Sequence, residues 1–124
     1  MNDKTRKIAG WVIAGAVAVM LIMSAIMKLK GAPEAMDMLT GWGFTESEIT
    51  MIGIGELISA ILFLIPKTSS LGTLLLSAYF GGAIASHMQA APPGESYMIP
   101  AILLIVVWIA ALIRNKAIFS SFGN

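Results

Sequence analysis

One carboxylate lies deep inside a long apolar stretch of this sequence. Glu56 is the only charged residue between positions 49 and 65. An ionisable side chain at this depth in a membrane span costs about 2.5–3.5 kcal/mol on insertion scales, so it usually faces the protein interior. At helical spacing Gly53, Ser59 and Ala60 share its face, and their small size lets another helix approach closely. The sequence therefore predicts that Glu56 lies inside a helix bundle.

Two further ionisable residues fall in the same half of that bundle. Lys28 ends the first apolar run, and His87 lies near the end of the third, with Ser86 beside it and Tyr79 two turns earlier. Burying a carboxylate next to a cation is far less costly than burying it alone. We therefore predict that Lys28, Glu56 and His87 lie in one cluster, in which Glu56 is hydrogen-bonded towards Lys28 or His87. Tyr79 and Ser86 complete the predicted ligand-binding site.

Each ionisable residue also has a purely structural interpretation. Lys28 would anchor a helix end at the membrane interface, since its long stem lets the charge reach polar surroundings. His87 would bond a loop carbonyl, and Glu56 would tie neighbouring helices together. A functional role is favoured most for Glu56, because ionisable residues inside a membrane are functional candidates by default.

Several chemistries are excluded by what the sequence lacks. Without cysteine there is no disulfide, thiol redox centre or thiolate metal site. One histidine and one buried carboxylate are too few for a metal site, and we predict none. No catalytic residues are assigned, because no nucleophile–histidine–acid set and no glycine-rich phosphate loop is present. The nine methionines are interpreted as packing and lipid contact rather than as a copper site.

Composition indicates a membrane protein. Hydrophobic residues make up 57% of the chain and charged residues 12%, and the mean hydropathy is +0.84. A length of 124 residues allows one domain, residues 1–124. The predicted fold class is an all-α membrane protein, a bundle of four transmembrane helices. The spans are expected at about residues 8–28, 46–65, 71–90 and 97–113.

The connector after the first span contains a predicted short amphipathic helix in the first outer loop. Pro33 suits the first turn of a helix. Residues 34–39 have the pattern of a short amphipathic helix, which is expected to end at Gly41. Thr45 and Glu48 have the spacing of a capping box, which would start the second span. A second turn is predicted at residues 91–95, with Ser96 as a helix cap.

The basic residues predict the orientation. Most of them fall on one side of the four-span arrangement: Lys4, Arg6, Lys7, Lys67, Arg114 and Lys116. Only Lys28 and Lys30 fall on the other, so the positive-inside rule puts both termini in the cytoplasm of an inner-membrane protein. The first apolar run exceeds the roughly 7–15 residues of a signal-peptide core, and we interpret it as a retained span.

Close helix packing is predicted at small residues. A stripe that begins at Gly10 recurs every fourth residue along the first span. We also expect at least one of Gly55, Gly81 and Gly82 to lie at a helix crossing, since backbone contact needs a missing side chain.

Several short motifs follow one another in a characteristic order: Ser24-Ala25 with Lys28-Leu29, the Pro33 connector ending in Gly43-Phe44, Gly55-Glu56-Leu57, Ile65-Pro66-Lys67-Thr68 before Leu71-Gly72, and Gly81-Gly82 with Ser86-His87. Together they resemble the DoxX-like family of small four-helix membrane proteins. The resemblance implies a connection with thiosulfate:quinone oxidoreduction, with quinone and catechol handling, or with membrane oxidoreductase complexes. A eukaryotic branch is similar to an assembly chaperone for receptor channels. The resemblance assigns no catalytic role to Lys28, Glu56 or His87.

Two functions follow as hypotheses. In the first, the bundle binds a quinone or a similar amphipathic aromatic molecule, and Glu56 and His87 bond its head group. In the second, the chain is a non-catalytic interaction subunit or assembly factor of a membrane complex. A redox enzyme in its own right would need a partner or a bound cofactor that the sequence does not reveal. The expected partners are the lipid bilayer and a membrane or periplasmic oxidoreductase; self-association stays open, and no nucleic acid is expected.

Overall fold

The computed structural model describes residues 2–90, 97–115 and 117–118, and their regular secondary structure is entirely helical. Five α-helices follow one another: α1 (Asp3–Lys30), α2 (Pro33–Gly41), α3 (Glu46–Leu64), α4 (Ser69–Ala90) and α5 (Met98–Arg114). A single 3₁₀ turn, Pro66–Thr68, joins α3 to α4.

Helix α1 has well-defined caps at both ends. The side chain of Asn2 accepts a hydrogen bond of 2.8 Å from the backbone N–H of Thr5, which satisfies one of the free donors of the first turn. Gly31 follows the helix with a φ of 71°, in the left-handed region that glycine adopts without strain. Its N–H donates to the carbonyl of Lys28, and the chain turns there towards α2.

The short helix and the capping box lie where the sequence predicts them. Pro33 occupies the first turn of α2, which needs no N–H donor at that point. At the start of α3 the backbone N–H of Glu48 donates to Thr45 Oγ1 over 3.2 Å, and Thr45 N–H donates to Glu48 Oε1 over 2.8 Å. The reciprocal bonds fix where α3 begins.

The turn between α3 and α4 is tighter than predicted. Helix α4 begins at Ser69, two residues before the expected start, because the 3₁₀ turn runs directly into it. Thr68 Oγ1 donates to the carbonyl of Leu62 over 2.8 Å and closes this turn. The predicted turn at residues 91–95 and the cap at Ser96 lie outside the described residues.

Among the described residues the four long helices pack in a ring. Helix α1 packs on α3 and α5, and α4 also packs on α3 and α5, so that α1 lies diagonally opposite α4. Neighbouring helices run antiparallel. The core between them is formed by buried aromatic, aliphatic and alanine side chains: Ala14, Val17, Leu21, Ala60, Phe63, Leu76, Phe80, Val107 and Ala110.

The prediction that Gly55, Gly81 or Gly82 lies at a helix crossing is wrong. A Cβ added at any of the three would meet nothing within 4 Å, and all three residues are exposed. The close crossing lies instead at Gly72, where an added Cβ would collide with the backbone of Phe63. Apolar residues surround α4 on every side, so the sequence did not reveal which of its glycines faces a neighbouring helix.

Two other glycines make room for long cationic side chains. An added Cβ at Gly53 would lie 3.1 Å from Lys28 Cβ, and one at Gly10 would lie 2.7 Å from Arg114 Cγ. The stripe that begins at Gly10 is buried, in agreement with its predicted role in helix packing.

Three helical segments are long and apolar enough to cross a membrane: Asp3–Lys30, Glu46–Leu64 and Pro66–Ala90. Helix α5 is apolar but shorter, with 17 residues. Large apolar side chains also cover the outside of the bundle, among them Val12, Met23 and Met51, which are all more than half exposed. A helix that is apolar on all sides requires protein or lipid around it.

Candidate functional site

A buried ion pair joins α1 to α3. Lys28 Nζ lies 2.8 Å from Glu56 Oε1, and only 9% of Lys28 and 1% of Glu56 is exposed. The predicted burial of Glu56 and its bond to Lys28 are both confirmed by this contact. Because each ion loses its hydration, the pair depends on good geometry and on further hydrogen bonds.

Ser24 and Tyr79 supply those further hydrogen bonds. Lys28 Nζ donates to Ser24 Oγ over 2.7 Å and to the hydroxyl of Tyr79 over 3.4 Å. Ser24 Oγ in turn donates to Glu56 Oε1 over 3.3 Å. Ser24 was not among the predicted site residues. Its spacing of four residues from Lys28 on one helix was the available signal, because such side chains are neighbours on the helix surface.

His87 does not share the ion pair in the described contacts, so its predicted place in the hydrogen-bonded cluster is not confirmed. Its Nδ1 lies 2.7 Å from the carbonyl of Ala83, one turn earlier in α4. The ring packs edge-on against Trp42, with 4.6 Å between ring centroids. A histidine near a helix end has a carbonyl of its own helix within reach, and His87 bonds there, whereas Glu56 is bonded to Lys28, the first of its two predicted partners.

All five predicted site residues nevertheless line one cavity of about 520 Å³. Lys28, Glu56 and Tyr79 form its polar side, together with Ser86 and His87. Its apolar walls come from α1, α4 and α5, and include Val17, Met20, Leu21, Ala78, Phe80 and Leu103. The connector adds Met38, Trp42 and Phe44. We call the part of the bundle around Lys28 and Glu56 the ion-pair end.

A second buried cation lies at the opposite end of the bundle. Arg114 is the last residue of α5, and only 8% of it is exposed. Its guanidinium carbon lies 4.5 Å from the ring centroid of Trp11 and 4.3 Å from that of Phe63. It donates to the carbonyls of Phe63, over 2.8 Å, and Ala110, over 3.2 Å. We call this part the arginine end.

The sequence placed Arg114 just beyond the last predicted span, about residues 97–113; in the structure it is the last residue of α5, and its burial was not predicted. Phe63 lies in the last turn of α3, where carbonyls lack a partner within their own helix. The guanidinium supplies that donor, and the aromatic faces on both sides stabilise its charge.

The ion-pair end has the elements of a small-molecule site. A few polar groups converge on an apolar, partly aromatic cavity, which is the usual composition of such sites. No group of three metal-ligating side chains lies together among the described residues. The arrangement offers several hydrogen-bonding groups to a polar ring.

Long apolar helices with an ion pair buried between them define a helical membrane protein. The DoxX-like family matches residues 12–110, which is most of the chain. The chain therefore belongs to the DoxX-like family and is a multi-pass membrane protein. No curated protein and no solved structure matched it. The matched region contains the whole ion pair network and ends before Arg114.

Proposed function

We propose that the protein binds an amphipathic molecule with a polar aromatic head group, of the quinone and quinol class, in the cavity at the ion-pair end. The observation that carries this proposal is that the buried Lys28–Glu56 pair borders an open volume with aromatic walls. The head group would lie against the polar side, and an apolar tail would extend along the walls or into the lipid.

The size and composition of the cavity support this ligand class. A volume of about 520 Å³ falls within the usual range for small-molecule pockets, about 300–1,000 Å³. Tyr79 and Phe80 from α4 and Trp42 from the connector offer aromatic faces and edges to a flat ring. Polar groups are few, which suits a largely apolar ligand.

The ion pair itself argues for a role beyond stability. Replacing a buried ion pair by apolar residues of similar volume is often neutral or stabilising, so stability alone seldom accounts for one. Here the pair borders the cavity instead of being enclosed by packed side chains. A polar group at this position is what recognition of a hydroxyl or carbonyl requires.

For the membrane arrangement we propose one domain with four spans, in which α5 is the fourth. Its 17 residues extend over about 26 Å at ~1.5 Å per residue, close to the thickness of a bilayer core. Lys4, Lys7 and Lys67 lie towards the arginine end, so the positive-inside rule puts that end and both termini in the cytoplasm of the inner membrane. The cavity then lies towards the outer side, where a membrane or periplasmic oxidoreductase would exchange ligand with it.

Lipid extraction and mass spectrometry of the purified protein test the proposal most directly. We expect a quinone, quinol or related aromatic lipid at near-stoichiometric amount. The same preparation of Glu56→Gln should contain much less of it, whereas Ser59→Ala, on the same helix outside the cavity, should retain it. Absence of any aromatic lipid, together with a stoichiometric protein partner, would favour the interaction-subunit hypothesis.

Fluorescence offers an independent measurement. Trp42 lines the cavity, so titration with decylubiquinone in detergent should quench it saturably. Trp42→Phe should lose this quenching. Trp108→Phe should keep it, because the indole of Trp108 bonds Ser77 and neither residue lines the cavity.

A further inference from the structure

The ammonium of Lys28 has no hydrogen-bond donor to spare. A lysine ammonium has three N–H donors. In this structure they point to Glu56, Ser24 and Tyr79, at 2.8, 2.7 and 3.4 Å. A ligand carbonyl that took one of these donors would remove a bond from the buried network.

The other polar side chains of the cavity also donate within the protein. The hydroxyl of Ser24 donates to Glu56, and that of Ser86 donates to the carbonyl of Gly82 over 2.9 Å. The hydroxyl of Tyr79 interacts electrostatically with the carboxylate of Glu56, towards which it can act only as a donor.

His87 presents an acceptor to the cavity, because its ring N–H bonds a carbonyl of its own helix. The carbonyl of Ala83 can only accept, so the contact with Nδ1 requires the proton on Nδ1. In the neutral ring Nε2 is then an acceptor. Trp42 is the exception on the cavity wall, because its indole N–H has no acceptor among the described contacts.

Unused acceptors, by contrast, remain on the polar side of the cavity. A carboxylate offers about four lone-pair sites, and Glu56 accepts hydrogen bonds from Lys28 and Ser24, both at Oε1. Ser86 Oγ and His87 Nε2 retain free lone pairs. The polar side of the cavity therefore offers acceptors where a ligand's oxygen would lie.

We infer that the site selects the hydroxyl-bearing form of its ligand, a quinol, catechol or other phenol, over the corresponding quinone. This inference rests on the proposed function and specifies its ligand. On the polar side of the cavity a phenolic hydroxyl donates to the free acceptors, whereas a quinone carbonyl placed there faces acceptors, so that neither it nor they gain a hydrogen bond. Sites built to bond a ligand hydroxyl discriminate strongly against analogues that lack it.

The test compares two matched ligand pairs on the full-length protein in detergent. The first pair is 4-nonylphenol and 4-nonylanisole, which differ only in whether the oxygen carries a proton or a methyl group. The second is decylubiquinol and decylubiquinone, titrated without oxygen. Calorimetric titration should give a Kd at least tenfold lower for the hydroxyl-bearing member of each pair.

Two variants examine the acceptors themselves. His87→Phe keeps a ring against Trp42 but removes Nε2, and Glu56→Gln introduces amide donors in place of carboxylate acceptors. Each should reduce the preference for nonylphenol at least threefold, whereas Ser77→Ala, outside the cavity, should not change it. A preference that survives in both variants would overturn the assignment of these acceptors.

The remaining outcomes distinguish the inference from the function on which it rests. If quinone and quinol bind equally, or the quinone binds more tightly, the inference is wrong and the binding function stands. If neither member of either pair binds, and circular dichroism shows that the protein remains folded, the proposed function is overturned as well.

Discussion

Each end of the bundle buries one cation, and the two ends stabilise it in different ways. Lys28 is paired with the carboxylate of Glu56 and borders a cavity. Arg114 contacts two aromatic faces and two helix carbonyls, and its Nη2 has no partner among the described residues. Each side chain lies against a glycine that leaves room for its aliphatic stem: Lys28 lies against Gly53, and Arg114 lies against Gly10.

The difference indicates which cation serves the fold alone. Arg114 supplies donors to carbonyls that helix ends leave unsatisfied, and the tight contact between Gly72 and Phe63 lies at the same end. At the ion-pair end a second charged group, Glu56, is buried as well, and its burial adds a desolvation cost. Close packing of the helices does not need this second charge. We therefore assign recognition to the ion-pair end and stability to the arginine end.

The largest effect on stability should come from removing one member of the ion pair. Glu56→Ala leaves the ammonium of Lys28 buried without its carboxylate, and breaking a buried pair costs about 3–5 kcal/mol. Ser59→Ala is the matched control on α3, because the hydroxyl of Ser59 bonds only its own helix, at the carbonyl of Gly55. Unfolding in a detergent–denaturant titration would measure both. Equal stability of the two variants would show that Lys28 is not held by Glu56.

A change at the arginine end should affect stability without affecting ligand binding. Arg114→Met keeps an apolar stem between Trp11 and Phe63 but removes the donors to two carbonyls. Hydrogen bonds from a charged group contribute about 1.5–3 kcal/mol each. Methionine also removes the desolvation cost of the buried charge, so we expect a net loss of about 2–3 kcal/mol. The exposed Lys67→Met serves as the control. A change of more than threefold in the Kd for nonylphenol would contradict the division between the two ends.

The helix crossing at the arginine end should tolerate no added methyl group. Gly72→Ala should cost about 1–3 kcal/mol, because the new Cβ overlaps the backbone of Phe63. Gly81→Ala in the same helix meets nothing within 4 Å and should be neutral or slightly stabilising. Melting temperatures in detergent compare the two. A neutral Gly72→Ala would mean that α3 and α4 are less closely packed than described.

The smallest effect is expected at Ser24. Ser24→Ala removes one hydrogen bond to Glu56 and one from Lys28 but leaves the ion pair in place. We expect a loss of about 0.5–1.5 kcal/mol, at the level of a typical net hydrogen-bond contribution, because Lys28 and Glu56 stay paired with each other and neither charge is left without a partner. Ser86→Ala, whose hydroxyl bonds its own helix, should change stability less. If Ser24→Ala were as harmful as Glu56→Ala, the network would depend on the serine rather than on the charges.

The sequence predicted more about helix positions than about helix orientation. Long apolar runs located α1, α3 and α4, and the Thr45–Glu48 spacing located the start of α3. In α3 the one charge beyond the first turn, at Glu56, identified the inward face. Helix α4 has no comparable buried charge, and it is apolar on all sides. The sequence therefore did not show that Gly81 faces outward and that Gly72 contacts α3.

The candidate site was predicted in part for similar reasons. Charge complementarity identified Lys28 and Glu56, because an unpaired buried carboxylate is too costly. The role of His87 was missed, since its bond to Ala83 is a local alternative that opposite charge does not predict. The burial of Arg114 was not predicted because it depends on Trp11 and Phe63, which are distant in sequence.

The central claim, that the ion pair serves recognition rather than stability, is tested most directly by replacing both of its members. Lys28→Met combined with Glu56→Leu fills a similar volume without charge. We predict that its melting temperature stays within about 4 °C of wild type, equivalent to ~1 kcal/mol, while binding of nonylphenol is lost. A variant that retains wild-type affinity for nonylphenol, or one that is as unstable as Glu56→Ala, would contradict the claim.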